Sequence, residues 1–146
     1  MAAPIAREPA YLLHSREYRE TSLLVDIFSL NYGLLRLVVR GAKRPTSPLK
    51  GMLQPFQPLL VSWQGRSELK NLTDLELGSK LPPLRGDYLY SGLYLNEILI
   101  KLLQAGQPSP ELFIAYADAM GGMAKKDALE PALRVFEFRM LRELGA

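Results

Sequence analysis

The sequence predicts an α+β chain in which a strand-rich first half, suited to a small closed barrel or a sandwich, precedes a helical second half. Three observations carry this reading. Apolar residues fall in short alternating or continuous runs before residue 80 and at helical spacing after it. The change coincides with Leu81-Pro82-Pro83-Leu84, a proline pair that interrupts either kind of element. Charge divides at the same point: residues 1–80 hold 11 Lys/Arg against 7 Asp/Glu, and residues 81–146 hold 7 against 8. The expected organisation is therefore 1–80 and 81–146.

The strands follow in order. Pro9–His14 is the first and Ser22–Ser29 the second; the second is nearly continuous in apolar residues and so largely buried. Asn31-Tyr32-Gly33 is a turn with a glycine for positive φ. Leu34–Arg40 is the third strand. Phe56–Trp63 is the fourth, with Pro58 expected at its start or at an edge. Gln64-Gly65-Arg66 turns into the fifth, Glu68–Leu77, where Leu69, Leu75 and Leu77 alternate with Lys70, Asp74 and Glu76.

The helices follow. Asp87 is placed to cap one running to about Gln104, whose apolar residues cover most of its circumference and so make it central. Ser109-Pro110-Glu111 supplies a cap, a proline at the first position and an acid in the first turn of the next, expected to end at Gly121-Gly122. A third opens at Asp127 or Glu130-Pro131. It carries Leu133, Phe136, Met140 and Leu144 on one stripe, with Glu130–Arg134 and Arg139–Glu143 as i,i+4 pairs.

Composition narrows the function classes. With 146 residues, 48% hydrophobic and 23% charged, the chain can bury roughly 68–70% of its unfolded surface. It contains no cysteine and one histidine, which excludes disulfides, iron–sulfur clusters, thiolate zinc, cysteine nucleophiles and any two-histidine site within it. The N-terminus lacks the apolar core of a signal peptide, and no run approaches the roughly 18 apolar residues of a membrane span. The expectation is a soluble, cytoplasmic protein with no membrane contact.

Catalysis has little to draw on. His14 has Ser15 beside it and Asp26 as a possible orienting acid, but neighbours on a strand point to opposite faces. Gly121-Gly122-Met123-Ala124-Lys125-Lys126 lacks the preceding strand and the Ser/Thr of a phosphate loop. Asp74 and Glu76 share a strand face with nothing else to mark a metal site. No catalytic residue, metal site or cofactor is therefore assigned, and the protein is read as a non-enzyme.

The basic segment is more informative. Residues 36–50 carry Arg36, Arg40, Lys43, Arg44 and Lys50 with no acid. Arg36, Val38 and Arg40 share one face of their strand, and Leu35, Leu37 and Val39 the other. An apolar face fits a core, and an arginine face followed by a cationic loop fits a phosphate backbone, whose contacts carry no base identity. The plain alternative is a solvated face and a mobile loop. Tyr11, Tyr18, Phe28, Tyr32, Phe56 and Trp63 all fall in this half; most are expected in the core, with Tyr18 and Tyr32 the more exposed. Tyr88, Tyr90 and Tyr94 read as helix packing. Asn96 and Glu97 interrupt an apolar helix and are expected to bond the helices to the strands rather than to catalyse. Leu133 and Arg134 join an apolar stripe to a cation, suited to an acidic, aromatic-ended peptide, although Arg134 also fits a plain pair with Glu130.

Several blocks resemble the RecO family of bacterial DNA repair and recombination mediators. They are Tyr11-Leu12-Leu13-His14-Ser15-Arg16, Glu20-Thr21-Ser22-Leu23, Arg40-Gly41-Ala42-Lys43-Arg44, and Leu49-Lys50-Gly51-Met52-Leu53-Gln54-Pro55-Phe56. In the second half they are Leu89-Tyr90-Ser91-Gly92-Leu93-Tyr94-Leu95-Asn96-Glu97 and Glu130-Pro131-Ala132-Leu133-Arg134-Val135-Phe136-Glu137. The resemblance implies a five-stranded OB-fold barrel over 1–80 and an α-helical region of about three helices over 81–146. It implies binding of single- and double-stranded DNA, annealing of complementary strands, contact with RecR and with the C-terminal tail of single-strand-binding protein, and help in loading RecA. Under it, Arg36, Arg40, Lys43, Arg44 and Lys50 become DNA contacts, and Leu133 and Arg134 the site for the tail. A nucleoid-associated place in a bacterial cytoplasm goes with that role. Family members run longer than this chain, and many carry a zinc-binding cysteine cluster in the later part, so the expectation is of a shortened version. Two other readings compete: an adaptor for RecR and single-strand-binding protein with DNA bound elsewhere, and an RNA-binding module.

Overall fold

The computed structural model describes residues 3–66 and 69–144. Strands β1 (Ile5–Tyr18), β2 (Ser22–Ser29), β3 (Gly33–Val39), β4 (Leu59–Gln64) and β5 (Leu69–Leu77) close a barrel in the order β1-β2-β3-β5-β4. All neighbours are antiparallel except β3 and β5, which pair in parallel. This five-stranded closure is the OB-fold expected above. Glu68, expected to open the fifth strand, lies outside the described residues.

β1 is longer than the Pro9–His14 expected, because it serves two partners. Ala10–Tyr18 pairs with β2, and Ile5–Ala10 with β4. Register shifts at Leu12/His14 and at Ile5/Glu8 bend it from one partner to the other. The β2–β3 hairpin turns at Gly33, whose φ of +73° favours glycine; a Cβ there would also collide with the Gln107 carbonyl oxygen. Pro58 immediately precedes β4, where its missing N–H removes no ladder bond.

Alternation along the strands makes two cores. Inside the barrel, Leu12, Val25, Ile27, Leu35, Leu37, Val39, Leu59, Val61, Trp63 and Leu75 are buried together. The segment between β3 and β4, expected as a loop, contains a single helical turn, α1 (Leu49–Met52), which packs Leu49 and Met52 against that interior. Outside the barrel, Tyr11, Leu13, Phe28, Leu34 and Phe56 join a second core with the helices α2 (Asp87–Leu102), α3 (Pro110–Ala124) and α4 (Leu129–Glu143). Tyr11 meets Tyr116 and Phe113 at ring separations of 4.9 and 5.6 Å, and Phe28 meets Phe113 at 5.5 Å. Burying each such ring contributes about 1.5–3 kcal/mol.

Four helical details differ from the sequence reading. Asp87 is the first residue of α2, not its cap; Gly86 takes that place, and Asp87 acts only as an acid in the first turn. α3 runs through Gly121-Gly122 to Ala124, because Met120, Met123 and Ala124 are buried on the second core and that burial outweighs the ~1 kcal/mol cost of each helical glycine. Arg139 pairs with Asp118 on α3 at 3.1 Å instead of with Glu143. Tyr88 donates its hydroxyl to the Asp127 carbonyl, but Tyr90 and Tyr94 are 72% and 52% exposed and do not pack. Among the described residues no helix is long and apolar enough to cross a membrane.

Asn96 does what was expected of the Asn96-Glu97 pair. Buried, it donates to the Leu13 carbonyl of β1 and accepts from the Tyr116 hydroxyl of α3, joining three elements. Burial pushes the Tyr116 hydroxyl well above the ordinary tyrosine range, and that of Tyr11 up to about 12, with the Asp118 charge adding to the latter. Glu97 is not buried; it faces solvent and pairs with Lys101 at 3.0 Å.

Candidate nucleic-acid interface

Along β2 and β3 the outward face of the barrel changes from apolar to charged: Phe28 and Leu34 enter the helical core, whereas Asp26, Arg36 and Arg40, of the same parity, lie beyond it. On β1, His14, Arg16 and Tyr18 have one parity; across the ladder they face Asp26, Leu24 and Ser22 of β2. On β2, Asp26 and Leu24 face Arg36 and Val38 of β3. Leu24 and Val38 are buried in the floor, and Arg16 and Arg36 stand exposed around them.

Past this sheet the surface deepens into a cleft of about 500 Å³ lined by Tyr18, Arg19, Thr21, Ser22, Val38, Arg40, Gly41, Arg44, Leu69 and Asn71. It is built from the β1–β2 turn, the end of β3, the turn after it and the start of β5. Three guanidinium groups, three hydroxyls and an amide converge there, with no carboxylate among the described lining residues. Arg19 stands at φ +58° in the tight turn and lays its guanidinium carbon 5.1 Å from the Tyr18 ring centre. Arg40 donates to Asn71 Oδ1 at 3.3 Å. Among the described residues no carboxylate reaches ion-pair distance of Arg16, Arg19, Arg40 or Arg44.

The five basic residues singled out in the sequence are not equivalent. Arg40 and Arg44 line the cleft. Arg36 lines an adjoining one of about 570 Å³ with Leu24, Asp26, Leu34, Leu35, Leu69, Lys70, Ala105 and Gly106. There its Nε lies 3.0 Å from Asp26 Oδ1, which offsets much of its charge. Lys43 is half-buried and pairs with Glu17 at 3.0 Å. Lys50 is exposed on α1 and lines neither cleft. Arg16 and Arg19 were missed because they lie outside the 36–50 run. The signal for them was the hairpin: a strand ending Arg16-Glu17-Tyr18 and turning at Arg19 brings Arg19 into the cleft beside Arg40 and leaves Arg16 exposed on the strand that leads to it.

His14 and Asp26 do come near each other, Nδ1 to Oδ2 at 3.9 Å, but on an exposed face with Arg36 as the closer partner of Asp26. Of the sequence aromatics, Tyr11, Phe28, Phe56 and Trp63 are buried. Tyr32 is 38% exposed and stacks edge-on against Trp63 at 5.5 Å, away from the cleft. That leaves Tyr18 as the aromatic of the cleft. Among the described residues no cluster of three or more His, Asp or Glu is placed to hold a metal ion.

On α4, Leu133 packs partly against the second core, while Arg134 is exposed beside Glu130 at 3.4 Å and Glu137 at 4.0 Å. The apolar residues on the open side of α4 are Val135, Phe138 and Leu141, 57%, 65% and 48% exposed, with Arg142 over the Phe138 ring. Spacing of three and four residues puts them on the same side of the helix as Arg134.

The chain matches two family models, recombination protein O N terminal over residues 1–80 and recombination protein O C terminal over residues 83–146. It is 47% identical to a protein named DNA repair protein RecO from Marinobacter nauticus, over 99% of this chain and 60% of that protein. Proteins of the same name from Nitrosospira multiformis and Idiomarina loihiensis are each 48% identical over 94% of this chain, and over 57% and 59% of their own lengths. The chain thus spans about three fifths of the length of these relatives. With both family models matched in order along an OB-fold barrel and the helices packed on it, the chain belongs to the recombination protein O family.

Proposed function

We propose that this chain forms the DNA-binding part of a recombination mediator. Its role is to hold single- and double-stranded DNA, to anneal complementary strands, and to help load RecA where single-strand-binding protein coats the DNA. The observation that carries this is the cleft where Arg19, Arg40 and Arg44 converge without an opposing carboxylate among the described lining residues. Annealing requires two strands brought close with their charge neutralised and their base edges free. A shallow cationic face on the outside of a barrel meets that requirement, since contacts to phosphate leave the bases unread. Arg16, Arg19, Arg40 and Arg44 act as the phosphate contacts, with Arg36, Lys43 and Lys50 flanking them.

The test is fluorescence anisotropy of a labelled single strand of mixed sequence, titrated at several salt concentrations with the chain and with a variant carrying Arg19, Arg40 and Arg44 changed to Glu. About four phosphate contacts give a log–log salt slope near −3, at roughly −0.7 per phosphate on single strands. Binding lost in the variant supports the barrel site. A slope near zero, or a variant that binds like the parent, moves the DNA site elsewhere and favours the adaptor reading, in which RecR and single-strand-binding protein are the only partners.

The tail of single-strand-binding protein is assigned to α4, where Arg134 meets the carboxylate and Leu133 contributes from the helix flank. The exposed Val135 and Phe138 support a greasy seat beside that cation. Arg134→Glu is expected to abolish capture of an acidic tail peptide while leaving DNA affinity within about twofold, because the change lies on the helical side.

A further inference from the structure

We infer that Tyr18 is a base-stacking site, shielded by Arg19 when no nucleic acid is bound, and that it makes the cleft select an unstacked base of a single strand over a duplex. This rests on the DNA-binding reading of the same cleft and adds to it a means of telling the two forms of DNA apart.

Tyr18 is the last residue of β1 and faces Ser22 at the mouth of the hairpin. It is half-buried, so its ring is fixed by the ladder at one edge and open toward the cleft. The phosphate-binding groups surround it: Arg19 follows it in the turn, Arg40 and Arg44 come from across the cleft, and Thr21 and Ser22 bring hydroxyls. A cleft of about 500 Å³ lies within the ordinary size of a small-molecule site and admits a nucleotide. In a duplex the bases are already stacked on one another and expose no face to the ring. In a single strand they are free to leave the stack.

Arg19 explains how the ring is kept from water. Its guanidinium covers the ring at 5.1 Å, a contact that contributes modestly on an exposed surface. An incoming base offers the ring a larger flat partner, and the phosphate attached to that base offers the guanidinium a stronger one. Both exchanges favour displacement together. The guanidinium then lies next to the ring it has uncovered and close to the backbone of the nucleotide seated on it. The tight turn holds this pair in place, since Arg19 at φ +58° sits where few non-glycine residues do.

The test compares Tyr18→Leu, Tyr18→Phe and Arg19→Gly with the unmodified chain, using a fluorescein-labelled single strand of mixed sequence and the matching duplex, over a range of salt. Stacking on an aromatic corresponds to about a five- to hundredfold change in affinity per base. Tyr18→Leu is expected to lose that much on the single strand, with the salt slope unchanged and the duplex affinity within about twofold. Tyr18→Phe keeps the ring and should bind as the parent does. This controls for folding, as does an unchanged melting curve. Arg19→Gly removes one phosphate contact, so its slope should shallow by about 0.7 while the preference for the single strand persists. Equal losses on both DNAs with Tyr18→Leu, or no loss, would overturn the inference while leaving the DNA-binding reading intact. Absence of salt-sensitive binding by the unmodified chain would sink both. Photocrosslinking of a strand bearing 5-iodouracil gives an independent readout, with the adduct expected on Tyr18; an adduct only on Tyr32 or on the helices counts against it.

Discussion

At the scale of single residues, the position of one acid decides which cations of the open face keep their charge unneutralised. Asp26 is nearly buried between β1 and β3, 3.0 Å from the Arg36 guanidinium and 3.9 Å from the His14 ring. Because the Arg36 side chain is about half exposed, the pair's own contribution to stability is small, about 0–1 kcal/mol. Its effect on binding is larger, since it lowers the potential at one end of the cationic face. A sequence run without acids between residues 36 and 50 hides this, because the neutralising carboxylate comes from the neighbouring strand through the ladder. Arg36→Gln should therefore weaken single-strand binding less than Arg40→Gln. Asp26→Asn should strengthen binding several-fold and steepen the salt slope by about 0.7, as Arg36 becomes a phosphate contact. In the Asp26→Asn background, Arg36→Gln should then cost as much as Arg40→Gln. Anisotropy titrations on the four single and double variants test this, and equal losses from Arg36→Gln in both backgrounds would remove Asp26 from the account.

At the scale of elements, the pattern that survives is the pattern with a short range. β2 was legible to its end residues because a continuous apolar run between polar turns has one simple reading. The β2–β3 turn was legible from Gly33, though only half its reason was. The positive φ follows from the turn, but the Gln107 oxygen that occupies the space a Cβ would need belongs to the α2–α3 connection, far along the chain. Gly33→Ala should thus destabilise by well over the ~1 kcal/mol that positive φ alone costs. Gly106→Ala, at φ +76° with open space around it, should cost about that strain and no more. A chemical-denaturation comparison of the two checks it, and equal losses would mean that the connection moves aside freely. The ends of α3 and the surroundings of Glu97 were illegible for a related reason: local glycines and a charge in an apolar stretch were overruled by packing that only the assembled fold supplies.

The same scale holds a pH effect. Glu111 lies in the first turn of α3 and Glu143 ends α4; the two carboxyls line one groove, where Glu143 is under the influence of hydrogen bonding to Glu111. That hydrogen bonding, followed by partial desolvation and the Glu111 charge, raises Glu143 above the ordinary carboxylate range. A carboxyl whose pKa is raised on folding holds its proton longer in the native state than in the unfolded one. Its contribution to stability is present at acid pH and falls as pH rises from the ordinary glutamate value through the raised one. The effect is small because Glu143 is exposed. Glu111→Gln should flatten that part of the curve, with thermal melts from about pH 4 to about pH 7 as the measurement. A curve of unchanged slope would show that the two helix ends separate in solution.

At the scale of the whole molecule, the charge division along the sequence and the division of the fold into barrel and helices suggest two independent units, but packing ties them together. The helix-covered stretch of the barrel's outward surface presents Tyr11, Leu13, Phe28, Leu34 and Phe56, and these are buried in a core shared with the helices. Asn96 adds a polar link, bonding the backbone of β1 and the Tyr116 hydroxyl from inside that layer. Exposing five large apolar side chains would cost about 1.5–3 kcal/mol each, comparable with the whole stability of a domain this size. Barrel and helices should therefore unfold as one cooperative unit. Trp63, the single tryptophan, lies inside the barrel at 3% exposure and reports on it by fluorescence, while far-ultraviolet dichroism reports chiefly on the three long helices. In a urea titration the two signals should trace one transition with a common midpoint. Asn96→Leu, which leaves the Leu13 carbonyl and the Tyr116 hydroxyl without that partner, should destabilise the fold by about 1–3 kcal/mol and lower both midpoints together. If the dichroism falls first and the fluorescence holds, the barrel is stable without its helical cover, and the cationic cleft would keep its shape even where the helical side is pulled away by a partner.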